Sequence, residues 1–128
     1  MERQLVSSGS YLEPEIGFSR AVRVGPHVVI AGTAPIAPAG GTAAIGDVYG
    51  QTVRCLEIAI EALAKAGATA AHVTRTRMML TDITQWREAA RAHGEFFRDV
   101  RPACTFMQVS AFIDPDWLIE VEIDAVIA

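Results

Sequence analysis

The sequence predicts an α+β fold, a sheet with two helices packed on one face, and three observations carry that expectation. Apolar residues recur at every second position in several short runs. They recur at spacings of three and four in two longer ones. The runs follow the order β-ββ-α-β-α-ββ, with no strict βαβαβ repeat and no Gly-x-Gly-x-x-Gly. A chain of 128 residues, 51% of them hydrophobic, suits one domain spanning residues 1–128.

Residues 2–7 read as a short strand, and Ser8-Gly9-Ser10 with Pro14 and Gly17 predicts a loop over the next stretch. Residues 18–24 alternate, Gly25-Pro26 turns the chain, and residues 27–32 return as the second strand of a hairpin. Residues 33–46 carry Pro35, Pro38, Gly40 and Gly41, which predicts a mobile loop without regular structure. Asp47 is placed to cap a helix in which Tyr49, Val53, Leu56, Ile60 and Leu63 form one apolar stripe, ending at Gly67. Residues 74–80 are rich in β-formers, and Asp82 with Gln85 resembles a capping box opening a second helix. Trp86, Ala89, Ala90, His93, Phe96 and Phe97 are the expected buried face of that helix. Two last strands, 104–111 and 117–127, are joined through Asp114-Pro115-Asp116. Strand residues such as Met78, Met79, Val109 and Val121 are apolar enough that both sheet faces are expected to be covered, which implies self-association.

Composition excludes several classes. A formal charge of −4 argues against a surface that tracks phosphates, so nucleic acid is not an expected partner. Ten of the eleven basic residues are arginine and only Lys65 is lysine, which disfavours a lysine imine and supplies forked donors suited to carboxylates. Cys55 and Cys104 lack zinc spacing and disulfide density, and are expected to be buried free thiols in a reducing cytoplasm. No apolar run approaches the roughly 20 residues of a membrane span, so a soluble, cytoplasmic protein is expected. No His/Asp/Glu set has ligand spacing, and no metal is expected.

The end of the chain is the most informative part. In Leu118-Ile119-Glu120-Val121-Glu122-Ile123-Asp124-Ala125 three carboxylates at alternate positions share one strand face, against an apolar face. Arg75 and Arg77 on the strand before the second helix are candidates to pair with them. Together with Arg101-Pro102-Ala103-Cys104-Thr105, Ile16-Gly17-Phe18-Ser19-Arg20-Ala21-Val22, Ile30-Ala31-Gly32-Thr33 and Leu80-Thr81-Asp82, this strand resembles the RidA family, also called YjgF or endoribonuclease L-PSP proteins. The resemblance covers nearly the whole chain.

It implies a chorismate-mutase-like fold, a homotrimer with clefts between subunits, and hydrolysis of reactive enamines and imines without metal or organic cofactor. By that resemblance the strand glutamate that moves a proton or positions water is best matched by Glu122, with Glu120 as the alternative. The arginine that forks onto a substrate carboxylate is matched by Cys104. The family's tyrosine is matched by Phe18 and its cleft asparagine by Ala90. Phe18, Gly32, Ala90, Arg101, Cys104 and Thr105 are the expected substrate contacts, though odd spacing from Cys104 turns Arg101 to the other strand face. Losing the arginine predicts little deamination of 2-aminoacrylate, unless Arg20, Arg75 or Arg101 reaches the cleft. The expected function is binding of a small metabolite in the clefts, with hydrolytic deamination of an enamine-type, for example aminomuconate-like, intermediate. A non-catalytic small-molecule-binding or chaperone-like trimer is the alternative, and a ribonuclease-type activity is disfavoured by the acidic charge.

Overall fold

A computed structural model describes residues 2–128. Six strands, β1 (Arg3–Val6), β2 (Ala21–Val24), β3 (His27–Thr33), β4 (Val73–Leu80), β5 (Ala103–Gln108) and β6 (Ile119–Val126), form one sheet in the order β1-β2-β3-β6-β4-β5. All neighbours are antiparallel except β4 and β5, which run parallel and are joined through helix α3 (Trp86–Phe97). Helix α2 (Val48–Lys65) packs against β3, β6 and α3, so both long helices cover the same face, as the alternation predicts.

That face is the core. One row across all six strands reads Val6, Ala21, Ile30, Ile123, Thr76 and Cys104, and every member but the last is buried. The neighbouring row on the other face reads Leu5, Val22, Val29, Asp124, Arg75 and Ala103. In the single chain this second face is open: Leu5 is 60% and Val29 48% exposed.

Several local expectations change. Residues 12–16 form a one-turn helix, α1 (Leu12–Ile16), in place of a loop, because Pro14 sits in a first turn whose amides have no helical partner to lose. Gly17 ends it at a φ of 89°, a left-handed position that suits glycine. Asp47 does cap α2, accepting from the Gly50 amide at 3.1 Å. The buried stripe of that helix, however, is centred on Gln51, Thr52, Cys55, Leu56, Ala59, Ala62 and Leu63, with Tyr49, Val53 and Ile60 on its flanks. Asp82 caps a single 3-10 turn, accepting from the Thr84 amide at 3.0 Å, while α3 begins after it with no side-chain cap. Only Ala89, Ala92 and Phe97 of α3 are fully buried; Ala90, His93 and Phe96 are half-buried and Trp86 is exposed, edge-on to Phe106. The fifth strand stops at Gln108 because its only partner, β4, ends at Leu80. The loop over residues 33–46 folds on itself through an Ile36–Thr42 bridge, and Arg54 Nε donates to the Ile36 carbonyl.

Candidate functional site

The three acids of β6 alternate with its core residues and stand on the open face. Glu122 and Asp124 are held by β4: Arg77 Nη1 lies 3.4 Å from Glu122 and 3.9 Å from Asp124, and Arg75 Nε lies 3.7 Å from Asp124. These pairs are more than a third exposed, so each contributes at most about 1 kcal/mol. The sequence expectation of cross-strand pairing therefore holds for two of the three.

Glu120 differs. It stands opposite Met79, makes no hydrogen bond or ion pair among the described residues, and is half-buried. Burial pushes its carboxyl above the ordinary value, Arg20 pulls it down, and Glu122 adds to the rise. A bulge in β3 between Ile30 and Thr33 brings Gly32 against it, close enough that a Cβ there would lie 2.9 Å from Glu120 Oε1. A side chain at position 32 would displace the Glu120 carboxyl.

Beside Glu120 lies Arg20, only 6% exposed. Its Nη1 donates to the Gly32 carbonyl at 2.6 Å and to Thr33 Oγ1 at 3.1 Å, and its Nε to Ser8 Oγ at 3.2 Å. Ser8 is held in turn by buried Glu13, which accepts from the Ser8 hydroxyl at 2.9 Å, the Ser8 amide at 3.1 Å and the Ser10 amide at 3.2 Å. Burial raises the Glu13 carboxyl, but the Ser7 hydroxyl, followed by the Ser8 and Ser10 donors, outweighs it and the net shift is downward. The Phe18 ring lies 5.3 Å from the guanidinium. Burial lowers the Arg20 pKa, while Glu13 and then Glu120 hold it up without touching it in an ion pair. Arginine stays charged even so.

Phe18, Arg20, Gly32, Thr33 and Glu120 line one cavity of about 590 Å³ that continues between the 7–12 segment and α2. A second, shallower concavity of about 560 Å³ lies over the open face, where Phe18 meets Glu122, Asp124 and Arg77.

The structure thus brings Phe18, Gly32 and Glu120 together and sets Glu122 apart with Arg77. The remaining sequence candidates lie elsewhere. Thr105 shares the open face with Glu122, one strand beyond Arg77. Cys104 ends the core row on the helix side and is exposed, because β5 is the sheet edge. The expectation of two buried thiols therefore holds only for Cys55, whose Sγ points at the Ile119 carbonyl 3.8 Å away and whose pKa burial raises strongly. Ala90 lies on α3, one turn before the His93 that contacts Thr76. Arg101 precedes β5 at a φ of 57° and is exposed. Sequence reasoning gave Arg20 only a reserve role and passed over Glu13 and Ser8. The pattern Arg20-Ala21-Val22 shows which strand face each side chain takes, and nothing in it reports that Arg20 is buried.

Among the described residues no cluster of His, Cys, Asp or Glu is placed to hold a metal, and no helix is long and apolar enough to cross a membrane.

Sheet order and helix placement define an α+β protein of the chorismate-mutase-like class. Residues 9–127 match the family described as endoribonuclease L-PSP, and the chain belongs to that family. The crystal structure of Rv2704 from Mycobacterium tuberculosis, described as a member of the YjgF/YER057c/UK114 family, superposes with a TM-score of 0.90 at 43% identity, over 98% of this chain and 100% of that one. An uncharacterized protein of Streptomyces coelicolor is 39% identical over 120 residues, 94% of this chain and 89% of the relative. The 3-aminoacrylate deaminase RutC of Acinetobacter baylyi is 26% identical over 121 residues, 94% of this chain and 95% of the relative.

Proposed function

We propose that the protein is a homotrimer whose inter-subunit clefts bind a small metabolite, and that it hydrolyses an enamine- or imine-type acid with Glu120 as the proton-transfer group. The observation that carries this reading is Glu120 itself: a half-buried carboxyl with a raised pKa, no partner, and a glycine beside it that leaves its approach open. Such a group stays protonated at higher pH than an ordinary carboxyl, and can give a proton and take it back. Protonation of the enamine carbon by Glu120 forms an iminium. Water adds to the iminium carbon, its proton returning to Glu120, and the carbinolamine releases ammonia to leave a carbonyl. The chemistry uses acid and water alone, so no metal or cofactor is assigned. A relative named as a 3-aminoacrylate deaminase supports this class of C–N hydrolysis.

The separation of the candidates supports assembly. Gly32 on β3 and Thr105 on β5 are three strand spacings apart, about 14 Å. Within one chain a small ligand cannot touch both sets of candidates. A neighbouring copy laid on the open face would cover Leu5 and Val29 and bring Cys104, Thr105, Arg101 and Ala90 of one subunit toward Phe18, Gly32 and Glu120 of the next. With both cysteines free, the cytoplasm is the compartment we assign.

Light scattering should give three times the chain mass at micromolar concentration; a monomer would end the cleft. Against a panel of 3-aminoacrylate and longer enamine acids, Glu120→Gln should lower turnover at least about 100-fold while Glu122→Gln retains most of it. Equal turnover by Glu120→Gln would remove Glu120 from the chemistry. Cysteine at position 104, where the family places its carboxylate-binding arginine, favours a second reading, a non-catalytic small-molecule-binding trimer. Saturable binding with no turnover across the panel would select it.

A further inference from the structure

We infer that Arg20 is the anion subsite of this cavity and that the ligand is a monocarboxylate with an extended apolar body, a class distinct from three-carbon acids. The inference rests on reading the cavity as the ligand site, and it adds what that ligand must look like. Its first support is an unfinished hydrogen-bond set. Arg20 is 94% buried, being only 6% exposed, and Nη1 and Nε are engaged, yet Nη2 has no partner among the described residues. Nη2 is not sealed off and is the free donor of a head that lines the cavity, where the fitting completion is an acceptor that carries negative charge.

The head is also held still. Ser8 Oγ, the Gly32 carbonyl and Thr33 Oγ1 fix three sides of it, and Thr33 itself donates to the Ala31 carbonyl at 2.7 Å. Glu13 fastens Ser8 through the Ser8 amide and hydroxyl and also accepts from the Ser10 amide. Little ordering entropy remains for a ligand to supply. Glu13 is a positioning residue here, since it reaches the cavity's anion site only through Ser8.

The body of the ligand follows from size and lining. A three-carbon amino acid has six non-hydrogen atoms and fills at most roughly 180 Å³ even at the ~30 Å³ that liquid water takes per molecule. The cavity holds about 590 Å³, within the range of sites for much larger ligands. Its mouth carries Tyr11, Ile16, Ile36 and Ile113, exposed by 74, 60, 37 and 70%. Four of the eight large hydrophobic side chains exposed among the described residues therefore line this cavity. An acid whose carboxylate meets Nη2 would lay its chain or ring along that rim, with Glu120 beside the atoms next to the carboxylate.

Calorimetric titration of the assembled protein with acetate, hexanoate, 3-phenylpropanoate and 3-phenylpropanamide tests both halves. Phenylpropanoate and hexanoate should bind at least tenfold more tightly than acetate, since each buried methylene contributes roughly three- to fourfold. The amide should bind at least tenfold more weakly than its acid. Arg20→Gln should remove about ten- to hundredfold of the acid's affinity and leave the amide's unchanged. If that variant fails to fold, the acid-to-amide ratio on the unaltered protein decides the same point. Ile113→Ser, at an exposed position, should weaken phenylpropanoate about fivefold or more and spare acetate. Equal affinity for acid and amide overturns the anion subsite, and equal affinity for acetate and phenylpropanoate overturns the apolar body. If Ile113→Ser leaves phenylpropanoate binding intact and instead lowers the assembly mass, the rim belongs to a second copy and the inference fails. Failure of the deaminase reading looks different: acids bind as expected while no enamine is turned over.

Discussion

Replacing Gln51 by leucine removes a side chain that ties α2 to the start of β6. The amide is fully buried, its Nε2 donates to the Asp116 carbonyl at 2.9 Å, and its Oε1 accepts from the Leu118 amide at 2.8 Å. Leucine fills similar space and leaves both backbone groups without a partner. An unsatisfied buried group costs about 1 to 3 kcal/mol, and these two are only part-buried, so the low end applies and the pair costs about 2 to 3 kcal/mol. Leucine's greater hydrophobicity returns roughly 1 kcal/mol. The net loss is about 1 to 2 kcal/mol, or about 4 to 7 °C in Tm for a domain of this size. Urea unfolding followed by circular dichroism measures it, with protein concentration fixed because association would contribute to apparent stability. Gln51→Glu is the informative companion: at pH 7 it buries a charge facing a carbonyl, whereas at pH 4 the protonated acid donates to Asp116, so its cost should shrink on acidification. A leucine variant within 0.5 kcal/mol of the parent, on the order of an ordinary surface substitution, would refute the assignment of Gln51 as a structural bridge.

Gly32→Ala should leave Tm within about 2 °C, because the clashing atom is the mobile end of Glu120 and alanine restricts the unfolded chain, yet turnover should drop about tenfold as the carboxyl retreats. Unchanged kinetics would show that the carboxylate position does not matter. His93 lies half-buried with Nε2 2.8 Å from Thr76 Oγ1, and burial depresses its pKa below 6.5. Above 6.5 the folded and unfolded states are both neutral there and the stability is fully present; below it the unfolded state takes up the proton first, and stability falls until the depressed folded value is passed. His93→Gln should flatten the urea midpoint through that window, and a slope identical to the parent's would place the titration elsewhere.

How much was legible depended on which physical pattern carried it. Alternation in residues 118–125 predicts one acidic and one apolar face, and the structure has both, because side-chain parity in a strand is a local property. Parity cannot rank Glu120 against Glu122. A bulge in β3 and arginines on a strand forty residues away separate them, and these are tertiary facts. Asp47 capped as expected since capping needs only three residues, whereas Pro14 misled because the same residue that breaks helix interiors is tolerated in a first turn. Cys104 looked like a core residue by type and is exposed by topology, its strand being the sheet's edge. The burial of Arg20 depends on Ser8, Glu13 and Thr33 converging from three segments, which no local spacing records.

The strand order has a consequence for how the molecule comes into being. β6, made from residues 119–126, lies in the middle of the sheet between β3 and β4, and those two strands do not pair with each other. A nascent chain can close the β1–β3 meander early, and can lay β5 beside β4 across α3, but the two halves stay unjoined until the ribosome has delivered the last of these segments. Truncation before residue 119 would remove the seam of the sheet and all three carboxylates in the same stroke. The cell should therefore hold either complete, acid-bearing molecules or unassembled halves fit for degradation, with no folded but chemically silent intermediate between them.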